Sequence, residues 1–514
     1  MSRLLALVTV LAAFLLASVA VAQTSDAIAP LNSGDEPIVV THHIIQTPDG
    51  PLEYEARAGR LPIRVDETGE VHARDFFVAY VVTNRGAHRP VTFAWNGGPT
   101  IASVYLHTEL LGPRLITPSG FVDNPETLLS KSDLVFYDPV ETGFSRVEKP
   151  EFAPEFFNMK GDIAEAAEFV RAYRARFHAL DRPLFVLGES YGVWRAAAVS
   201  ETLAKSGVNL SGLILISGGF PSTPETPAFW NAMNVQARTA TALHYHRLVP
   251  ALQRDPSATL KAADVWTKTV YWPALEHPER LSAEDRTKIV RRLAAYTGVR
   301  IDQIDAKTMV MNTDAFLKGF YDGDKGRELS DTDTRVFGDE QQSPQRHLYI
   351  AQYLRDELNY STSLNYAGEL GYDSDLGYRS LEGGYAPTPG PARRSSGKQW
   401  VYNQSPNAAA EGAASRADGE VWHYFNMNPP WAQNAMAAAP DLKVFVALGR
   451  YDPTNTCEGE ALVIGSLDPA IRARVTVTCY DGGHMMYRDR AQRVKLSEDL
   501  RAFVTGAAVS PIRR

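Results

Sequence analysis

Cysteine is almost missing from this chain, with two residues, Cys457 and Cys479, among 514. That excludes a small scaffold stapled by disulfides, and neither the number nor the spacing points to a metal site. A basic excess is missing too. The 52 Lys and Arg stand against 60 Asp and Glu, a formal net charge of -8, so the chain carries no nucleic-acid footprint. Long apolar runs end early: past residue 22 nothing approaches the length of a membrane span. No internal repeat is evident. What is left is ordinary globular composition, 44% hydrophobic and 22% charged. Its length suits several domain-sized units or one large α/β core with an insertion.

The single early apolar run has the anatomy of a signal peptide over residues 1–22. Arg3 supplies the positive start, Leu4 to Val19 the apolar core, and Ala20-Val21-Ala22 the small-residue cleavage site before Gln23. No cysteine stands at that site to carry a lipid. The expectation is an exported protein, periplasmic or extracellular, whose mature form has no membrane partner.

Residues 23–36 read as a loose amino terminus. Three segments then have the alternation of antiparallel hairpin strands: Ile38 to Ile45, Tyr54 to Val65 and Asp75 to Val82. Val91 to Trp95 runs into a glycine turn, and Asp133 to Tyr137 is a short apolar strand. A helix is predicted over Asp162 to His178, followed by the apolar run Pro183 to Leu187 and a buried strand at Leu213 to Ser217. Strands alternating with helices predict a parallel sheet with right-handed crossovers.

The pattern changes after Gly218-Gly219. Helices are predicted over Thr226 to Leu252 and Ala283 to Thr297, and a Tyr/Gly/Ser/Pro-rich stretch follows between Tyr360 and Gln404, with a mobile part expected within Gly390 to Ser415. Residues 220–430 therefore read as a cap inserted into a core made of residues 23–219 and 431–514. The core pattern returns with strands at Leu442 to Leu448 and Val475 to Cys479, and a final amphipathic helix spans Arg490 to Val504.

The segment Gly188-Glu189-Ser190-Tyr191-Gly192 directly follows the apolar run Pro183 to Leu187 and precedes a helix-compatible stretch. Strand, G-x-S-x-G, helix is the nucleophile elbow of the α/β-hydrolase fold, which is the fold class expected here. Two more strands end in residues of the right type, Asp452 and His484, and the chain order Ser190, Asp452, His484 is the one this architecture requires. Ser190 is the candidate nucleophile, His484 its general base and acid, and Asp452 the group that holds the imidazole tautomer. An acyl-transfer intermediate also needs an oxyanion hole. The N–H of Tyr191 and one from Asn96-Gly97-Gly98 are the candidates.

Five blocks in order give the chain a more specific likeness. They are Asn96-Gly97-Gly98-Pro99, Asp138-Pro139-Val140 with Thr142 to Ser145, Gly188 to Gly192, Gly449 with Asp452, and Gly483-His484-Met485. With these the chain resembles the serine carboxypeptidase family, particularly its bacterial branch, over residues 90–490 apart from the insertion. The resemblance implies an oxyanion hole from the N–H groups of Gly98 and Tyr191. It also implies that Asn96 and Glu189 bind the free carboxylate of a peptide's last residue. The chain departs from the family at Ala94, Thr100, Glu141 and Val193. It departs again at Leu110, which stands where the family has a second acidic residue, with Glu109 one position away. A carboxylate at Glu189, beside the nucleophile, makes physical sense if it shares a proton with an incoming carboxylate.

The expected activity is removal of C-terminal residues from peptides by an exported serine carboxypeptidase, with no cofactor and no metal. The same scaffold serves esterases and acyltransferases. A catalytically silent binding protein on this fold is a third reading, which labelling by a fluorophosphonate separates from the other two. Cys457, five residues past Asp452, and Cys479, five before His484, are a candidate disulfide in an exported protein.

Overall fold

The computed structural model describes residues 26–30, 35–65, 67–84, 86, 88–221, 226–320, 327–338, 349–364, 366–367, 376–381, 384–389 and 430–506. The signal peptide at 1–22 and the segment 390–415 expected to be mobile lie outside these residues.

The described residues build an eleven-stranded sheet. In chain order its strands are β1 (Asp26–Ile28), β2 (Ile38–Thr47), β3 (Gly50–Arg64), β4 (Val71–Val82), β5 (Val91–Trp95), β6 (Asp133–Tyr137), β7 (Arg146–Val147), β8 (Leu184–Glu189), β9 (Gly212–Ile216), β10 (Lys443–Gly449) and β11 (Val475–Tyr480). Their spatial order is β1-β2-β3-β4-β6-β5-β8-β9-β10-β11, with β7 paired to β4. The strands up to β4 pair antiparallel, and β4 pairs antiparallel with β6. From β6 to β11 every neighbour is parallel.

Alternation explains why the central parallel strands β8 and β9 are largely apolar. Along β8, Leu184 and Val186 enter the core on one face of the sheet while Phe185 and Leu187 enter the core on the other. Residues on both faces are covered, so none is left for water. The first face packs on helices Met159–Arg176, Tyr191–Lys205 and Trp431–Ala438, the second on Arg490–Val504. Caps mark where these helices start. Asn158 accepts from Gly161 N and Asp489 from Gln492 N, each such cap contributing about 1 kcal/mol.

Beyond β9 a separate apolar cluster joins helices Pro227–His244, Pro256–Trp266, Ala283–Thr297 and Thr313–Gly319, with Phe229, Met233, Leu293 and Phe316 among its buried residues. The helix expected over Thr226 to Leu252 stops at His244. His246 has φ 54°, and Pro250 disfavours a helical Val249, so the chain restarts as a four-residue helix at Pro250–Gln253. Residues 100–125, to which the sequence assigned no element, hold a π-helical turn at Leu106–Leu111 and a small hairpin of Arg114–Thr117 with Gly120–Asp123.

Candidate active site

Parallel strands deliver their carboxyl ends to one edge of the sheet, and that edge gathers the candidate residues. Asn96 follows β5, Ser190 follows β8, Asp452 lies just past β10 and His484 just past β11. Ser190 sits at φ 57° and ψ -130°, a left-handed turn that a non-glycine residue rarely holds. The turn closes only because its flanks lack side chains. A Cβ on Gly188 would fall 1.9 Å from Gly192 O.

The loop after β5 lies against this elbow. A Cβ on Gly97 would come 2.6 Å from Tyr191 N, so only glycine lets the two backbones approach. Trp95 Nε1 donates to Gly192 O (3.0 Å), pinning the loop's base to the elbow helix. The two candidate oxyanion segments, Asn96 to Gly98 and the start of the Tyr191–Lys205 helix, thus border one spot. Gly98 N–H has no hydrogen-bond partner among the described residues.

Asp452 is fully buried, and its two oxygens do different work. Oδ1 accepts from Thr454 N (2.8 Å), Thr454 Oγ1 (2.7 Å) and Asn455 N (3.3 Å). Oδ2 faces His484 Nδ1 at 2.7 Å, with Asn455 Nδ2 also donating to it at 3.4 Å. With that nitrogen engaged, Nε2 is the one available to take a proton. Burial works against a charged imidazole, but the carboxylates of Asp452 and Glu189 more than offset it and hold His484 up to about 9. Among the described residues no hydrogen bond joins Ser190 to His484. Ser217, just past β9, instead ties the loops of His484 and Asp452 together: its Oγ donates to His484 O (2.5 Å) and its carbonyl accepts from Asn455 Nδ2 (3.1 Å). A nucleophile–base bond that tightens only with substrate is common.

Glu189 is buried beside the nucleophile, and its Oε2 accepts from Tyr487 OH (2.7 Å) and Asn96 Nδ2 (3.1 Å). Asn96 Oδ1 accepts in turn from Leu106 N (3.1 Å). Burial pushes Glu189 up to about 7, against the pull of His484, the Tyr487 bond and Arg488. Leu110 is buried in the core, whereas Glu109 forms an ion pair with Arg488 (2.8 Å). Cys457 and Cys479 are joined in a disulfide, their Cα atoms 5.8 Å apart.

Several residues that shape the site went unread in the sequence. Thr454 and Asn455 had a signal, because an Asp followed two and three residues later by Thr and Asn is the pattern of a self-bonded loop. Tyr487, Arg488 and Ser217 had none. Nor did Thr332 to Arg335, which lie between β9 and β10 in the chain: Thr332 O accepts from His484 N (2.5 Å), Thr334 N donates to Tyr451 O (3.1 Å) and Arg335 Nη1 to Asp481 O (3.0 Å).

Residues 49–271 match the family model described as serine carboxypeptidase. The matched stretch carries Asn96, Gly98, Glu189, Ser190 and Tyr191, and Asp452 and His484 lie beyond it. Among solved structures the chain is similar to Kex1Δp, a prohormone-processing carboxypeptidase from Saccharomyces cerevisiae. Identity is 14%, over 88% of this chain and 91% of that one, with a TM-score of 0.50. It is also similar to a proline iminopeptidase from Mycobacterium smegmatis, with 12% identity, coverage of 88% and 100%, and a TM-score of 0.35. No curated protein matches the chain. The fold is that of the α/β hydrolases.

Proposed function

We propose that this protein is a serine-type carboxypeptidase, a reading supported by the family match over residues 49–271, and that it is exported and works through a Ser190–His484–Asp452 acyl-enzyme. Ser190 Oγ attacks the carbonyl of the last peptide bond while His484 Nε2 takes its proton. The developing oxyanion meets the N–H groups of Gly98 and Tyr191. His484 then returns the proton to the leaving amino acid, and water repeats the sequence to free the shortened peptide. Asp452, held through Oδ1 by its own loop, keeps Oδ2 on the imidazole and stabilises the imidazolium.

One observation carries the carboxypeptidase reading over a general esterase. Asn96 and Tyr487 converge on a buried Glu189 next to the nucleophile, where burial favours the protonated acid. A protonated Glu189 can donate to a substrate's terminal carboxylate, which an ionised one would repel. The pKa values of Glu189 and His484 make opposite demands, since Glu189 is neutral below about 7 and His484 above about 9. They do not titrate independently. The negative Glu189 helps hold the proton on His484, so a proton on Glu189 releases the imidazole. The productive form has the proton on Glu189 and none on Nε2.

The test is a pair of peptides, free and amidated at the carboxyl terminus, assayed across pH. The free peptide is expected to be cleaved best in mildly acidic solution and much faster than the amide. Equal rates at every pH would overturn the carboxypeptidase reading. The alternative, an esterase or acyltransferase with the same triad, draws on Asn96, whose side chain already has a partner at both ends.

A further inference from the structure

The chemistry above leaves one fully buried ion pair without a task. Arg195, on the elbow helix, is 0% exposed and Asp162, in the first turns of Met159–Arg176, 1%. Arg195 Nε lies 2.8 Å from Asp162 Oδ1 and 2.9 Å from Oδ2, and Nη2 lies 2.7 Å from Oδ1. The rest of the guanidinium points at the loop after β5. Nη1 donates to Asn96 O (3.0 Å) and Nη2 to Pro99 O (3.1 Å), the carbonyls on either side of Gly97-Gly98. On the other side Tyr191 OH donates to Asp162 Oδ2 (3.0 Å), and the Arg195 guanidinium carbon lies 5.3 Å from the Tyr191 ring centre.

We propose that Arg195 and Asp162 are positioning residues for the oxyanion hole: one buried pair grips both segments that supply its donors, the Asn96–Pro99 loop through Arg195 and Tyr191 through Asp162. The proposal rests on the reading of Gly98 and Tyr191 as those donors. A buried ion pair is a weak source of net stability, because desolvation offsets most of its attraction. What it does supply is direction. Two adjacent glycines leave a loop conformationally permissive, and oxyanion stabilisation depends on donors held in place before the charge appears. A planar fork of five N–H donors can hold a carboxylate and two carbonyls at once, which a lysine ammonium cannot.

The test uses an ester and its thionoester, in which sulfur replaces the carbonyl oxygen. Sulfur is larger and accepts hydrogen bonds poorly, so the ratio of kcat/KM for the two substrates reports on the oxyanion donors. Both are assayed on one preparation, so any unfolded fraction cancels. Arg195→Lys is expected to lower ester kcat about 10- to 100-fold, less than the loss of a whole donor, and to lower the ester-to-thionoester ratio several-fold, with KM little changed. Tyr191→Phe removes a single hydroxyl and is expected to lower the ratio in the same direction by less. A ratio equal to wild type in Tyr191→Phe and in every folded preparation of Arg195→Lys overturns the proposal alone. Wild-type protein that turns over no ester overturns the hydrolase reading, and the proposal with it.

Discussion

The two halves of the candidate site are held by different means. The candidate oxyanion half, Asn96 to Pro99 with the elbow, is hydrogen-bonded to Arg195 and Asp162, side chains of the helices packed on the sheet. The acid–base half is held from its own edge. Asp452 is fixed by Thr454 and Asn455, His484 by Ser217 and by Thr332, and the disulfide links a helix that starts after Asp452 to the strand that leads to His484. The first half is part of the core. The second is a set of loops that depends on a covalent link and on a segment more than a hundred residues away in the chain.

That difference sets the scale of what should happen when each half is broken. The largest expected effect is in the candidate triad, which joins Ser190 of the elbow to the acid–base half. Ser190→Ala, His484→Ala and Asp452→Asn should each lower kcat roughly 10⁴-fold or more, with far-UV circular dichroism unchanged, and pairs of them should add little because the three act as a unit. Near-wild-type turnover in Asp452→Asn would show that a different carboxylate orients His484. Next comes the disulfide. Its partners are 22 residues apart, and replacing both with serine should cost about 3 kcal/mol in the chain-entropy model. Denaturant titration reads this loss, and if the bond serves the acid–base half, hydrogen exchange near Asp452 and His484 should quicken while the Asn96–Pro99 loop stays protected. Equal quickening in both would make the link a global staple.

The smallest effect is a shift in pH. Glu189→Gln removes the negative charge that helps hold a proton on His484, so the imidazole should lose that proton at lower pH. For an ester without a carboxylate, the acid limb of the rate profile should move down. For a peptide, the alkaline fall tied to Glu189 near 7 should move up or vanish, because glutamine needs no shared proton. An unchanged ester profile would show that Glu189 does not couple to His484.

Legibility in the sequence followed local signals and not this division. The helices at Ala283–Thr297 and Arg490–Val504 and the strand at Asp133–Tyr137 could be read to the residue, since each has a cap or an abrupt change of polarity at its ends. The strands flanking Gly50 were read short. Pairing begins right after the Pro48-Asp49 turn, at Gly50, where Gly50 and Pro51 carry no strand signal of their own. Leu106–Leu111 was missed because a π-helical turn has no apolar period of its own, and it is held by its neighbours, Leu106 N on Asn96 among them.

The sequence by itself determined what depends on local chemistry: the tight elbow at Gly188 to Gly192, the order Ser190, Asp452, His484, and strands apolar enough to be covered on both faces. Only the tertiary structure decided what depends on distant partners. It brought Tyr487 and Asn96 onto Glu189, Thr332 onto His484, and Arg195 onto the carbonyls of a loop about a hundred residues earlier. The reason is physical. A hydrogen bond between side chains brought together by folding leaves no period, propensity or spacing in the chain, whereas a turn or a strand must be written in the residues that make it.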